Sequence, residues 1–197
     1  MKRTFLFLIL LIAFVFSLNK FINNFIADVY YVSAQEAAKD KDFPRARKHS
    51  RLAVKYNNKE PLYYRGYGKV LLSSQLSRSI SDQLPTFKEQ AYENLETAYS
   101  LNEKNLATLR NTIPLYYFLA LNEISTDTGE KILDERFLEI SKNQFKMLKQ
   151  TYPNDLGILI DVTKYEKKLG LDNDVEKNIN SAKILRPDIV EWHEVFN

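Results

Sequence analysis

Apolar residues fill the first part of the chain without a break and recur at helical spacing in the rest. Residues 4–18 form a run of fifteen in which only Thr4 and Ser17 are polar. A run that is apolar on every face predicts a helix surrounded by lipid. As a helix it is about 22 Å long, shorter than a hydrocarbon core of about 30 Å. Apolar residues continue as far as Ala27, so a helix over residues 4–27 reaches about 36 Å.

Two membrane roles fit this run. A secretory signal needs a small-residue cleavage site close behind it; residues 15–17 (Val-Phe-Ser) are a poor site, and residues 32–34 (Val-Ser-Ala) lie too far away. We favour an uncleaved signal anchor, a transmembrane helix over residues 1–26 in which Lys20 reaches toward the far interface. A buried amphipathic helix is a third interpretation, disfavoured because the run has no polar face.

The cations before the run predict its orientation. Lys2 and Arg3 precede it, and the positive-inside rule places such residues in the cytoplasm. The sequence therefore predicts a single-pass protein of the cell membrane with a cytoplasmic N-terminus. Residues 27–197 are then an extracytoplasmic domain.

The fold class of that domain is predicted as all-α. Alternating apolar and polar runs and Asn-Gly turns are absent, whereas helical spacing is frequent, as in Phe137, Ile140 and Phe145. Pro114 predicts a kink or a late helix start. Asp42 is a predicted helix cap, and so is Asp172 or Asn173.

Small and large residues repeat in four predicted helix pairs. In the first and last pairs a small residue on the first helix precedes a turn and a second helix that again carries small residues. These positions are Ala34, Asp42, Phe43, Ala46, Ser50 and Ala53 in the first pair, and Thr163, Gly170, Val175, Ile179, Ala182 and Pro187 in the last. The middle pairs match at Gly68, Leu71, Ala91, Leu95 and Ala98, and at Ile113, Tyr116, Ser141, Phe145, Leu148 and Pro153. Insertions around residues 77–85 and 125–136 lengthen their turns.

On these positions, residues 27–189 resemble the tetratricopeptide-repeat (TPR) family, whose period is about 34 residues. The resemblance implies a TPR-like α-solenoid of about four helix pairs, in which each pair buries its apolar face only by stacking on its neighbours. It also implies a concave face that binds peptides or partner proteins. The chain departs from the family pattern at Asn58 and Glu103, where proline is usual.

A narrower resemblance rests on the order of segments. A transmembrane helix runs into "IADVYYVSAQEAAKDKDFPRARKHSRLAVKYNNKEPLYY", and later units end in "YPND" and "LRPD". This order is similar to the C-terminal TPR-like tail of bacterial O-antigen ligase/polymerase-like membrane proteins. The large catalytic membrane part of that family has no counterpart in this sequence. The resemblance therefore implies an accessory role in surface-polysaccharide assembly in the bacterial cell envelope.

The amino-acid composition and the motifs of the chain narrow the classes of partner and of site that we expect. Without Lys2, Arg3 and Lys20 the domain carries 25 basic and 25 acidic residues, so nothing predicts a nucleic-acid partner. The chain has no cysteine, and its two histidines, His49 and His193, fall on different predicted helices. No Gly-rich phosphate loop, GxSxG or HExxH motif is present. We therefore predict no catalytic residue, no metal site and no cofactor.

The repeat register predicts a partner-binding surface on the first helices. Its residues are Tyr31, Gln35, Lys39, Arg65, Lys69, Arg110, Tyr117, Phe118, Lys164, Lys167 and Lys168. Cations among tyrosines suit an acidic peptide, a C-terminal carboxylate or an anionic glycan, and an ordinary solvated helix face has the same composition. The predicted function is a non-enzymatic scaffold or adaptor that binds a protein partner at the membrane surface. The alternatives are the accessory role in polysaccharide assembly and an unrecognised enzyme.

Overall fold

The structure, a computed structural model, describes residues 2–76, 84–124 and 131–195. Its elements are the helices α1 (Lys2–Lys39), α2 (Phe43–Tyr56), α3 (Pro61–Leu76), α4 (Leu84–Leu101), α5 (Leu106–Arg110), α6 (Ile113–Ala120), α7 (Glu135–Thr151), α8 (Leu156–Lys168), α9 (Asp172–Leu185) and α10 (Pro187–Trp192), and the strands β1 (Leu121–Ile124) and β2 (Lys131–Leu133). The chain is mostly helical, which confirms the all-α prediction apart from the two short strands. It forms two compact units, Met1–Leu101 and Asn102–Asn197.

Helix α1 is one continuous helix of 38 residues, about 57 Å long. Its segment Phe5–Lys39 is long and apolar enough to cross a membrane, with a mean hydropathy of 2.5 in its most apolar window. Side chains from Phe5 to Ile22 are exposed, so within this chain that part of the helix is not a buried core element. The predicted boundary between residues 26 and 27 lies inside α1 and marks no break in the helix.

In the first unit, the end of α1 packs against α2 through small residues. Ala27 clusters with Ala53, and Ala37 clusters with Ala46, which is the pairing of two antiparallel helices. The predicted cap is confirmed, because Asp42 accepts a hydrogen bond from Arg45 N at 3.2 Å. The small predicted positions on both helices are therefore buried where the two helices pack together.

Helices α3 and α4 form the next pair of this unit. A Cβ atom on Gly68 would lie 3.3 Å from Ala91 O and 3.4 Å from Leu95 Cγ, so glycine permits a close approach of the two backbones. Leu71, Leu95 and Ala98 are fully buried, as their repeat positions predict. The insertion predicted around residues 77–85 falls mostly on residues 77–83, which lie outside the described part of the chain.

Tyr63 of α3 joins this helix to α1. Its hydroxyl donates a 2.6 Å hydrogen bond to Asp28 Oδ1, and the residue is buried. Burial, followed by the hydrogen bond to Asp28, raises the pKa of Tyr63 above its usual value of 10.0. Burial also raises the pKa of Tyr67 on the same helix.

These raised pKa values make the protein sensitive to alkali. Above about pH 10 the unfolded chain loses the tyrosine protons before the folded chain does, so the free energy of unfolding falls as pH rises. We expect the thermal midpoint, followed by circular dichroism, to drop between about pH 8 and pH 11, by about 2–4 °C for each kcal/mol lost. The drop should be smaller in Tyr63→Phe. An equal drop in the variant would show that Tyr63 does not titrate in this way.

The second unit begins with an interrupted helix. Helix α5 ends at Arg110, and α6 starts at Ile113 with Pro114 in its first turn. This confirms the late start predicted from Pro114, because proline at the first helical positions lacks only an N–H that has no partner there. Ser141 of α7 is fully buried and its Oγ lies 2.7 Å from Tyr116 O of α6.

The strands were not predicted from the sequence. Strands β1 and β2 pair antiparallel, Leu121 opposite Leu133, with an irregularity before Glu123. Strand β1 ends just before the predicted insertion around residues 125–136 and β2 lies within it; residues 125–130 are outside the described part of the chain. Strands of four and three residues are too short to show an alternating pattern.

Helices α8 and α9 form the last pair. Leu159 clusters with Ala182, and the turn between the helices uses Gly170 at φ +72°, a conformation that favours glycine. The predicted cap by Asp172 or Asn173 is wrong, since α9 begins at Asp172 itself and its cap position is Leu171. Asp172 instead lies in the first turn, where a carboxylate interacts favourably with the helix dipole.

The sequence also predicts a closing helix over residues 187–196, in which Trp192 and Phe196, four residues apart, cover the last helix pair. Phe196 and the side chain of Trp192 lie outside the described part of the chain. Helix α10 packs on α9, with Val190 in the cluster of Leu159 and Ala182.

Candidate partner-binding site

The predicted surface residues fall into two groups, one in each compact unit. The first unit holds Tyr31, Gln35, Lys39, Arg65 and Lys69, and the second holds Arg110, Tyr117, Phe118, Lys164, Lys167 and Lys168. Each group is a separate candidate surface.

The group in the first unit lies where α1 approaches α3. The ring of Tyr31 is 5.6 Å from that of Tyr63, and a Cβ on Gly66 would come within 2.6 Å of the Tyr31 ring. Gln35 Nε2 is buried and makes no hydrogen bond in the described structure. Arg65 is half-buried, and Lys39 and Lys69 are exposed. The tyrosine and the glutamine thus pack within the unit, while the two lysines lie on its surface.

The group in the second unit is more concentrated, and its aromatic part comes from α6 and α8. The Tyr117 ring is 5.1 Å from the Phe118 ring and 5.2 Å from that of Tyr165. Tyr117 is buried, and Phe118 and Tyr165 are half-buried. Aromatic pairs at such centroid distances attract each other beyond simple burial. The three rings together form an aromatic floor that neighbouring side chains can contact.

Three lysines lie over this floor. Lys168 Nζ is 5.7 Å from the Tyr117 ring centroid and 5.3 Å from that of Tyr165. Lys131 Nζ is 6.0 Å from the Tyr117 ring, and Lys164 Nζ is 5.9 Å from the Tyr165 ring. We call these six residues the lysine–tyrosine cluster: Tyr117, Phe118, Lys131, Lys164, Tyr165 and Lys168.

Strand β2 brings Lys131 into the cluster. Its Nζ donates a 3.1 Å hydrogen bond to Lys168 O at the end of α8, where the carbonyl groups of a helix favour a cation. Lys131 was not predicted from the sequence, because it lies in an insertion without repeat register. Tyr165 was not predicted either, although the spacing of three residues between Tyr165 and Lys168 places both on one side of α8.

Arg110 has an internal partner. Its Nε and Nη2 donate hydrogen bonds of 2.9 Å and 2.7 Å to Asp161 Oδ2, so α5 is tied to α8. A Cβ on Gly157 would lie 2.8 Å from Arg110 Nη1, and the glycine therefore leaves room for the guanidinium. Asp161 therefore balances the charge of Arg110. Lys167 is exposed on the same helix.

The two tyrosines of the cluster stay protonated at neutral pH. Burial raises the pKa of Tyr117 above its usual value. Burial, followed by the negative charge of Asp161, raises the pKa of Tyr165 in the same direction. Their hydroxyl groups are therefore neutral donors and add no negative charge beneath the lysines.

Among the described residues, the other titratable groups do not form a metal site. Within residues 2–76, 84–124 and 131–195, no group of three or more His, Asp or Glu side chains is placed to hold a metal ion. His49 packs its ring at 5.6 Å from Tyr30. The lysine–tyrosine cluster thus has the chemistry of an anion-binding surface, made of ammonium groups held over aromatic rings.

No family model, no curated protein and no solved structure matches this chain.

Proposed function

We propose that this protein is a membrane-anchored, extracytoplasmic scaffold with a TPR-like repeat domain, and that its lysine–tyrosine cluster binds an acidic peptide segment of a partner protein. The observation that carries the proposal is the position of Lys168 over both Tyr117 and Tyr165, with Lys131 and Lys164 beside it. The charge and the apolar length of the N-terminal segment support the anchor and its orientation.

Packing between helices supports the repeat interpretation. In the first unit α2 contacts both α1 and α3, and α1 also contacts α3; in the second unit α7 contacts both α6 and α8, and α6 also contacts α8. Contacts of each helix with its neighbours in sequence, and of first helices with each other, are what a solenoid of helix pairs requires. The repetition of this scheme in both units supports a TPR-like array.

An acidic peptide is the ligand that the cluster fits best. Ammonium groups offer point charges for carboxylates, and an aromatic floor excludes water from one side of each charge. The lysine heads are accessible, since Lys131, Lys164 and Lys168 are all exposed. An extended peptide can therefore reach all three without opening the fold.

The expected effect of removing two of these lysines is a loss of peptide affinity. In Lys131→Ala with Lys168→Ala, the dissociation constant for a labelled Asp/Glu-rich peptide should rise about tenfold, because two solvent-screened cations together contribute about 1.4 kcal/mol. Fluorescence anisotropy of the full chain in neutral detergent measures it. The wild-type affinity should also fall with added salt.

A matched variant controls for net charge. Lys146 and Lys183 are exposed lysines of the same unit, and Lys146→Ala with Lys183→Ala should leave the affinity unchanged. An equal loss of peptide affinity in both double variants would show that only the net charge of the unit matters. That result would contradict a specific site at the cluster. Thermal midpoints of all three proteins show whether the second unit remains folded.

Crosslinking in the native host identifies the partner. A photo-crosslinking residue placed at Phe118, within the cluster, should capture a partner protein. The same residue placed at the control position Lys183 should capture none. Recovery of an unrelated extracytoplasmic protein would support the scaffold. Recovery of membrane glycosyltransferases or an anionic polysaccharide would instead assign the cluster to surface-polysaccharide assembly.

A further inference from the structure

A second polar site lies in the first unit, where the apolar part of α1 ends. A cleft of about 280 Å³ separates α1 from the loop between α2 and α3. Lys20, Asn23 and Asn24 of α1 line one side of the cleft, and Asn57, Asn58 and Lys59 of the loop line the other. Phe16, Asn19 and Tyr56 complete the lining. The cleft therefore combines two aromatic side chains with two lysines and several asparagine amides.

The position of the cleft along α1 matches a membrane interface. From Phe5 to Asn24 the helix rises about 28 Å, close to the hydrocarbon thickness of about 30 Å. On the opposite face of α1, Phe21 and Phe25 are 68% and 62% exposed. When α1 spans a bilayer, these phenylalanines face lipid while Lys20 and Lys59 lie at the level of the headgroups.

The lining of the cleft is positively charged, and the acidic residues that follow its lining residues in sequence accept hydrogen bonds from elsewhere in the unit. None of the lining residues is acidic. Asp28, one turn beyond Asn24, accepts the hydroxyl of Tyr63 at 2.6 Å. Glu60, beside Lys59, accepts Leu62 N at 3.2 Å. These carboxylates thus have partners within the unit.

The loop side is held in place by its own hydrogen bonds. Asn57 Oδ1 accepts Lys59 N at 3.1 Å, and its backbone N–H donates to Ala53 O at 3.1 Å. Tyr64 Oη donates to Asn58 O at 3.4 Å. The oxygen of the Asn57 side-chain amide accepts the hydrogen bond from Lys59 N, and the NH₂ group of the same amide can donate to a ligand. The cleft therefore presents two ammonium groups and amide donors, which is the complement of a phosphate group.

We infer that this cleft binds a phosphate group, and that the phosphate is the headgroup of an anionic phospholipid. The inference deepens the proposed function, since it rests on α1 as a membrane anchor. The bound headgroup holds the α2–α3 loop against the bilayer and so sets the tilt of the first unit. A soluble phosphate has the same chemistry and is the other source that the test must distinguish.

Native mass spectrometry of the full chain in neutral detergent tests the site. We expect retention of dioleoyl phosphatidylglycerol over dioleoyl phosphatidylcholine, and Lys20→Gln with Lys59→Gln should lower that retention about fivefold for each lysine removed. Lys41→Gln with Lys48→Gln removes two exposed lysines of the same unit outside the cleft and should leave retention unchanged. Matching thermal midpoints ensure that the comparison is between folded proteins.

The possible results of this experiment distinguish a phospholipid headgroup from a soluble phosphate as the bound group. Selective retention of phosphatidylglycerol that is lost in Lys20→Gln with Lys59→Gln supports a headgroup site. Binding of inorganic phosphate without lipid preference, lost in the same variant, supports a phosphate site with a soluble source. Equal retention of both lipids and of phosphate by all variants overturns the inference. Carbonate extraction of native membranes tests the anchor separately, because release of the wild-type chain there contradicts anchoring whatever the detergent experiment shows.

Discussion

Replacing Leu10 and Ile12 with arginine should remove this protein from membranes. Each charged residue at the centre of a membrane helix costs about 2.5–3.5 kcal/mol on insertion, so two cost about 6 kcal/mol. Residues two apart point to nearly opposite sides of a helix, and one flank of the helix cannot shelter both charges. Leu10 and Ile12 are 60% and 61% exposed, so their replacement removes no contact within the folded chain.

The measurement is the fraction of protein that stays with carbonate-washed membranes. Leu10→Ala with Ile12→Ala, which adds no charge at the same positions, should stay membrane-bound. A double-arginine protein that resists carbonate as the wild type does would contradict a membrane span by α1. The intact mass of the wild-type chain then decides between the two roles, since a full-length chain is an anchor and a chain shortened behind the apolar run is a processed signal.

The second large effect concerns a buried ion pair in the second unit. Lys149 Nζ of α7 lies 2.7 Å from Glu166 Oε1 of α8 and 3.0 Å from Asn178 Oδ1 of α9. Asn178 Nδ2 donates to the other carboxylate oxygen, Oε2. Glu166 is 2% exposed. Three helices therefore meet at one polar network, whose members supply hydrogen-bond partners to each other.

Lys149→Met should destabilise the second unit by about 3 kcal/mol at neutral pH. Removing one partner leaves a buried charge without compensation, and the value is at the low end because the Lys149 side chain is 21% exposed. Lys149→Met with Glu166→Leu and Asn178→Leu should recover most of the loss, since apolar side chains of similar volume avoid both the buried charge and a buried amide without a partner. Lys146→Met, at an exposed position of the same helix, is the control, and chemical denaturation measures all four proteins.

The loss in Lys149→Met should depend on pH. Burial raises the pKa of Glu166 above 4.5, while Lys149 and Asn178 oppose the shift. Without Lys149 the folded-state pKa rises further, and stability that is present below pH 4.5 is lost as pH rises through the raised pKa. The difference from the wild type should therefore shrink on acidification to about pH 4. A difference that is constant across this range would mean that Glu166 is not the group responsible.

Local signals account for the parts of this protein that the sequence predicted. The apolar run predicts the helix that can span a membrane, and small residues at helical spacing, such as Ala34 and Ala91, predict buried contact positions, as the structure places them. Asp42 and Pro114 mark helix starts because their effects act within one turn. Each of these inferences depends on residues that are neighbours along the chain. One local signal misled, since the acidic residues that begin α9 resembled a cap and lie in its first turn.

Only the tertiary structure decided which distant residues meet. Strand β2, which lies in an insertion, places Lys131 beside Lys168. Arg110 pairs with Asp161 over 51 residues, and Glu166 meets Lys149 from another helix. Such contacts depend on the angles and offsets at which helices pack, and these arise from many side chains at once. The sequence by itself thus determined the helices and their buried faces, while the packing of those helices determined the sites.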